Sequence, residues 1–61
     1  MTRAALRTKA RMATSDALYF RQEAQRLSRE GKDLAAQIAE NTSKAFRTMA
    51  LQALADAEVC Q

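Results

Sequence analysis

The side chains that most often carry catalysis are scarce in this sequence of 61 residues. It contains no histidine and a single cysteine, Cys60. Histidine is the usual general base near neutral pH, and a cysteine nucleophile is normally activated by such a base. A single glycine leaves no glycine-rich loop that could hold a phosphate. The sequence therefore predicts a protein that is not an enzyme and uses no cofactor.

The carboxylates are scattered along the chain, and only Glu30 and Asp33 flank what reads as a turn. The helical motif for a di-metal site, Glu-x-x-His, is absent because there is no histidine. We interpret Glu30 and Asp33 as parts of a solvated turn and helix cap, and we predict no metal site. Cys60 is expected to be a free thiol near the end of the chain, with a bridge between two subunits as the alternative.

The positions of glycine and proline indicate which elements carry these residues. Proline is absent and the one glycine, Gly31, lies at the midpoint, so the composition favours helix almost throughout. We predict an all-α antiparallel helical hairpin that forms a single domain over residues 1–61. Residues 1–13 form a basic N-terminal segment, 14–30 the rest of the first helix, and 33–58 the second. Gly31 should adopt a left-handed conformation and Asp33 should cap the second helix.

Apolar residues recur at helical spacing in both halves. In the first half they alternate by four and three residues, as Leu6, Ala10, Ala13, Ala17, Phe20, Ala24 and Leu27. In the second half they form a broader stripe of Leu34, Ala35, Ile38, Ala39, Ala45, Phe46, Met49, Ala50, Ala53 and Ala57. In an antiparallel hairpin with its turn at Gly31, the numbers of two residues that face each other across the helices sum to about 63. This pairing sets large side chains against small ones, so that the backbones can approach closely.

The predicted core is weak, because fourteen of the apolar residues are alanines. A folded chain this short hides only about 60% of the surface of its unfolded form. Small domains compensate with disulfides, a metal or self-association. One cysteine and no histidine leave self-association or a permanent partner, and we expect a homodimer in the form of a four-helix bundle.

Charge supports the antiparallel arrangement. The net charge is +3, and the basic residues crowd the start of the first helix, whereas Asp56 and Glu58 lie at the end of the second. Each group opposes its own helix dipole, and a hairpin makes both placements favourable by bringing the two ends side by side.

Two groups of residues are predicted to bind other molecules. A strip of arginine and glutamine around a leucine on the first helix, with a tyrosine beside it, has the composition of a partner-binding surface: Arg7, Arg11, Leu18, Tyr19, Gln22, Gln25 and Arg29. The end of the second helix is apolar on nearly every side, which predicts a dimer interface at Phe46, Met49, Ala50, Leu51, Ala53 and Leu54.

These features favour a small cytoplasmic regulatory or adaptor protein, such as a phage- or plasmid-encoded inhibitor, that binds a larger protein and neither a membrane nor a small-molecule substrate. One alternative is a helical dimer that binds RNA or DNA as ROP does, a likeness of architecture with no matching residues. Another is a structural coiled-coil subunit. For the fold, one unbroken helix in a parallel coiled coil and three helices broken at residues 41–43 are the competing arrangements. The acid-free start of the chain also suits a mitochondrial transit peptide.

Overall fold

A computed structural model describes residues 2–59 of the chain. They form two α-helices of 27 residues each, α1 (Arg3–Arg29) and α2 (Asp33–Val59), which lie side by side in antiparallel orientation. The antiparallel hairpin expected from the sequence is therefore confirmed, and a single unbroken rod is wrong. α2 runs without interruption through residues 41–43, so the three-helix alternative is also wrong. The basic segment at the start of the chain belongs to α1 from Arg3 onward.

The turn between the helices contains Gly31, which helps to cap the C-terminal end of α1. Gly31 has a φ of 77°, a left-handed conformation that glycine adopts without the steric cost of a Cβ atom. Its amide donates to the Ser28 carbonyl at 3.1 Å, and the Lys32 amide donates to the Leu27 carbonyl at 2.9 Å. These two hydrogen bonds define a Schellman motif, which satisfies carbonyls that the end of a helix leaves without partners.

The helix starts differ in how they are capped. Thr2 caps α1, because its hydroxyl oxygen accepts from the Ala5 amide at 3.1 Å. The predicted cap at Asp33 is wrong: Asp33 is the first residue of α2, and the first helical hydrogen bond runs from the Ala36 amide to the Lys32 carbonyl. A residue inside the first turn cannot act as the flanking cap, but its negative charge still favours the helix dipole.

The predicted seam of α1 is confirmed. Its seven residues are the buried and half-buried apolar positions that run along one side of the helix, namely Leu6, Ala10, Ala13, Ala17, Phe20, Ala24 and Leu27. In α2 the seam is narrower than the predicted stripe and consists of Ala36, Ala39, Ser43, Phe46, Ala50, Ala53 and Ala57. Five members of the stripe are instead exposed, namely Leu34, Ala35, Ile38, Ala45 and Met49. The predicted stripe leaves out Ala36 and Ser43 because it is centred on Leu34, Ile38 and Met49, which lie to one side of the true seam.

The two seams mirror each other. Read from opposite ends, both repeat the same alternation of four and three residues, as the predicted pairing of residue numbers to about 63 requires. The Ser43 hydroxyl donates to the Ala17 carbonyl at 2.7 Å, and the rings of Phe20 and Phe46 stack with centroids 5.6 Å apart. Each contact joins a residue of one seam to a residue next to its paired position in the other seam. A side-chain hydroxyl reaches the opposing backbone only where the helices approach closely.

Because alanines fill most of the seam, most of the bulky apolar side chains lie outside it. Leu6, which is 7% exposed, is the one large apolar residue among residues 2–59 that the hairpin buries, and the other buried apolar positions are alanines. Nine large apolar residues are exposed, namely Met12, Leu18, Tyr19, Leu34, Ile38, Met49, Leu51, Leu54 and Val59. The molecule is a thin rod of 48 × 12 × 12 Å, and these nine side chains lie on its surface.

Substituting Gly31 by alanine should destabilise the hairpin by about 1–2 kcal/mol, the cost of holding a residue with a Cβ atom in the left-handed conformation. No atom lies within 4 Å of the position that the Cβ would take, so the cost arises from the backbone alone. Gly31→Asn is the control and should cost less, because asparagine tolerates this conformation. Urea unfolding would measure both. An increase in stability for Gly31→Ala would instead indicate a continuous helix.

Substituting Ala50 by leucine should destabilise the hairpin by about 1–3 kcal/mol, because the added carbons overpack the seam and push the helices apart. Ala50 is 5% exposed. Ala55→Leu is the matched control on the exposed side of the same helix, and it should change stability by less than about 0.5 kcal/mol. Equal effects of the two substitutions on the thermal midpoint would contradict the close alanine seam.

Candidate interaction surfaces

Two long faces flank the seam, one on each side. On the first, an open groove of about 530 Å³ runs between the helices and is lined by Arg7, Ala10, Arg11, Thr14, Ser15, Leu18 and Leu54. Leu18 is 54% exposed and Leu54 is 46% exposed. Leu51 precedes Leu54 by three residues and lies on the same side of α2. We call the surface formed by Arg7, Arg11, Leu18, Leu51 and Leu54 the Arg–Leu face.

The opposite face carries methionine and aromatic side chains. A groove of about 320 Å³ lies between the helices there, with Met12, Asp16, Phe46 and Met49 among its lining residues. Tyr19 joins this group through Phe20, whose ring it meets edge to face with centroids 5.2 Å apart. Helical spacing from Met49 places Ile38 on the same side of α2. We call the surface formed by Met12, Tyr19, Ile38, Phe46 and Met49 the Met–aromatic face.

The seven residues predicted to bind a partner do not lie on one surface. Three of them belong to the Arg–Leu face, and Gln25 extends that side toward the turn, where it lines a more polar groove. Gln22 and Arg29 are exposed on the outer side of α1, away from the seam. Tyr19 points to the opposite side and belongs to the Met–aromatic face. Their angles around α1 alone place these residues in one group. Because α2 packs along one side of α1, the group is divided between different surfaces of the hairpin.

The six residues predicted to form a dimer interface are also divided. Ala50 and Ala53 are 5% and 3% exposed because α1 covers them. Their assignment to a contact with a second chain is therefore corrected: they serve the contact between helices of the same chain. Phe46 and Met49 lie on the Met–aromatic face, whereas Leu51 and Leu54 lie on the Arg–Leu face.

Positive charge is concentrated on the side of the Arg–Leu face. Arg7 and Arg11 line its groove, and Arg21, Lys44 and Arg47 surround a smaller one farther along the same side. Glu40 lies among the latter group, with its Oε1 3.9 Å from the Lys44 Nζ, which is a weak exposed ion pair. This side therefore carries five cationic side chains around exposed leucines, with only partial local neutralisation.

Opposed helix ends are joined as the charge pattern predicted. The Arg3 guanidinium Nε donates to the Ala57 carbonyl at 3.2 Å, which places a positive charge against the negative end of the α2 dipole. Arg7, Leu54 and Glu58 line the groove beside this contact. The basic start of α1 and the acidic end of α2 thus lie side by side.

Three ionisable groups near the turn are shifted by local pairing. A hydrogen bond from Arg26, 2.6 Å from the Glu23 carboxylate, lowers the pKa of Glu23 and raises that of Arg26. A hydrogen bond from Lys32 is the largest cause that lowers the pKa of Glu30. A carboxyl group whose pKa is lowered in the folded state stabilises the fold at any pH above its pKa in the unfolded chain. This stabilisation is lost as the pH falls through the lowered, folded-state pKa. These groups are exposed, so the pairs secure the end of α1 only weakly.

Over residues 2–59, no group of three or more metal-ligating side chains comes together. In the same range, no helix is both long and apolar enough to cross a membrane. Every buried side-chain nitrogen or oxygen within the described chain has a hydrogen-bond partner. The prediction for Cys60 falls outside the described residues.

No protein-family model, curated protein or solved structure matches the chain significantly. The features that bear on function are the two surfaces: a basic face around exposed leucines, and an apolar face built from methionine and aromatic side chains.

Proposed function

We propose that this chain is a non-enzymatic cytoplasmic adaptor or regulator that binds a larger protein through its Arg–Leu face. The observation that carries the proposal is the groove in which Leu18 and Leu54, one from each helix, are exposed between arginines. Side chains of this size are normally buried, and their exposure together on one side marks a contact surface. Contributions from both helices make the surface dependent on the folded hairpin.

The composition of the face indicates the chemistry of the partner. Leucines at the centre supply apolar area that loses water on binding, and arginines at the edge supply planar donors that pair with carboxylates in two-point contacts. A matching partner presents an apolar ridge flanked by aspartate or glutamate. Charge complementarity of this kind raises the association rate and selects the partner, whereas the apolar centre slows dissociation.

Nucleic acid is the second candidate, and the five cations on one side are the observation that favours it. Lysine and arginine neutralise phosphates, and their number sets how strongly binding depends on salt. The leucines argue against this candidate, because they would face a phosphate backbone that offers no apolar surface for them to contact. The aromatic rings, on which exposed bases could stack, lie on the opposite side.

Reversing the charge of Arg11 should weaken capture of the protein partner, because Arg11 lines the groove with the leucines. Immobilised protein would be used to capture binding proteins from the native host, with mass spectrometry as the readout. The partner's affinity should fall at least tenfold for Arg11→Glu and about thirtyfold for Leu54→Asp, as for a central contact residue. Arg29→Glu is the matched control, with the same charge change on the outer side of α1, and should retain the partner.

Salt separates the two candidates. Binding of RNA or DNA through these five cations would fall about 500-fold between 50 and 200 mM salt and would tolerate Leu54→Asp. A protein complex centred on the leucines should persist through that range. Equal loss of the captured protein with Arg11→Glu and Arg29→Glu would contradict the proposed face.

A further inference from the structure

The hairpin exposes more surface than a compact protein of its size. Its accessible surface is 4712 Å² at a mass of 6.8 kDa, whereas folded monomers of this mass expose about 3,950 Å². The excess, about 750 Å² per chain, is close to the area of about 800 Å² that each partner contributes to a stable interface of standard size. The excess accessible surface of the thin rod is therefore about the area that one protein–protein interface would bury on each chain.

The Met–aromatic face has the composition to supply that contact. Met12 is 64% exposed and Tyr19 is 58% exposed, and aromatic and methionine side chains are enriched in protein interfaces. The groove between Met12 and Met49, with Phe46 and Ala13 among its lining residues, is an apolar recess on this face. Flexible methionines pack well into irregular recesses of this kind.

Charge decides which face two identical chains can share. A two-fold interface sets the same surface against itself, so that it must be complementary to its own copy. Two Arg–Leu faces would set the five cations of one chain against the five of the other, with Asp33, Glu40 and Glu58 of each chain to offset them, and such a surplus of like charge is costly. The charges of the Met–aromatic side are more nearly balanced, with Lys9 and Asp16 lining its groove and Glu23 and Arg26 paired nearer the turn.

We propose that a second copy of this chain covers the Met–aromatic face, so that two hairpins form a four-helix bundle. In this bundle Phe46 and Met49 lie in the dimer interface, as the sequence predicted. Leu51 and Leu54, which were also predicted to lie there, are instead on the outer surface of the bundle. The Arg–Leu faces of both copies then stay accessible. This inference does not depend on the proposed function, since it uses the opposite side of the hairpin.

Sedimentation of the full chain at micromolar concentration tests the proposal. The unmodified protein should sediment with the mass of two chains, and Met12→Asp should shift it to the mass of one, because a carboxylate would be buried without a partner. Leu18→Asp is the matched control, with a similarly exposed residue of the same helix changed in the same way, and should remain a pair. A single-chain mass for the unmodified protein, or dissociation by Leu18→Asp with Met12→Asp still paired, would overturn the proposal.

Oxidation by peroxide provides a second readout that avoids charged substitutions, in case Met12→Asp fails to fold. Met12 and Met49 should form sulfoxides several-fold more slowly than a methionine introduced on the other face by Leu18→Met, because a second copy shields them. In the single hairpin Met12 is slightly more exposed than Leu18. Oxidation of Met12 as fast as that of the introduced methionine would overturn the proposal.

Discussion

The close approach of two helices across an alanine-lined seam is the constraint on which the rest of this structure depends. The Ser43 hydroxyl reaches the Ala17 carbonyl across the gap, and among residues 2–59 Leu6 is the one large apolar residue that is buried there. A seam of this kind fixes the register, because each small residue leaves room for the opposing backbone. It stabilises little by hydrophobic burial, since a methyl group removes little apolar area from water.

The same constraint accounts for the surface. Helices held this close enclose few bulky side chains between them, so most of the leucines, together with Met12, Met49 and Tyr19, are exposed on the outside of the rod. There they divide by chemistry, with leucine among arginines on one side and methionine among aromatic rings on the other. The chain thereby presents two chemically different faces, and we propose an acidic protein surface as the partner of the first and a second copy of the chain as the partner of the other.

The hairpin could be predicted from the sequence because its signals are local. Gly31 marks the turn, and the alternating spacing of α1 marks its seam without ambiguity. The seam of α2 was harder to predict, since hydrophobicity favours Leu34 and Ile38 over Ala36 and Ser43, and only the fit against α1 selects the smaller residues. The mirror of the α1 spacing would have identified Ala36 and Ser43. The division of the surface into two faces could not be read from either helix alone, because the partner helix decides which side of each is covered.

We propose that the alanine seam holds the hairpin folded only in contact with a second chain. Thermal unfolding of the unmodified protein, followed by circular dichroism over a hundredfold range of concentration, tests it most directly. If folding and association are coupled, the midpoint rises steadily with protein concentration. A cooperative transition at one unchanging midpoint over that range would show that the single hairpin is stable alone, and would contradict the account.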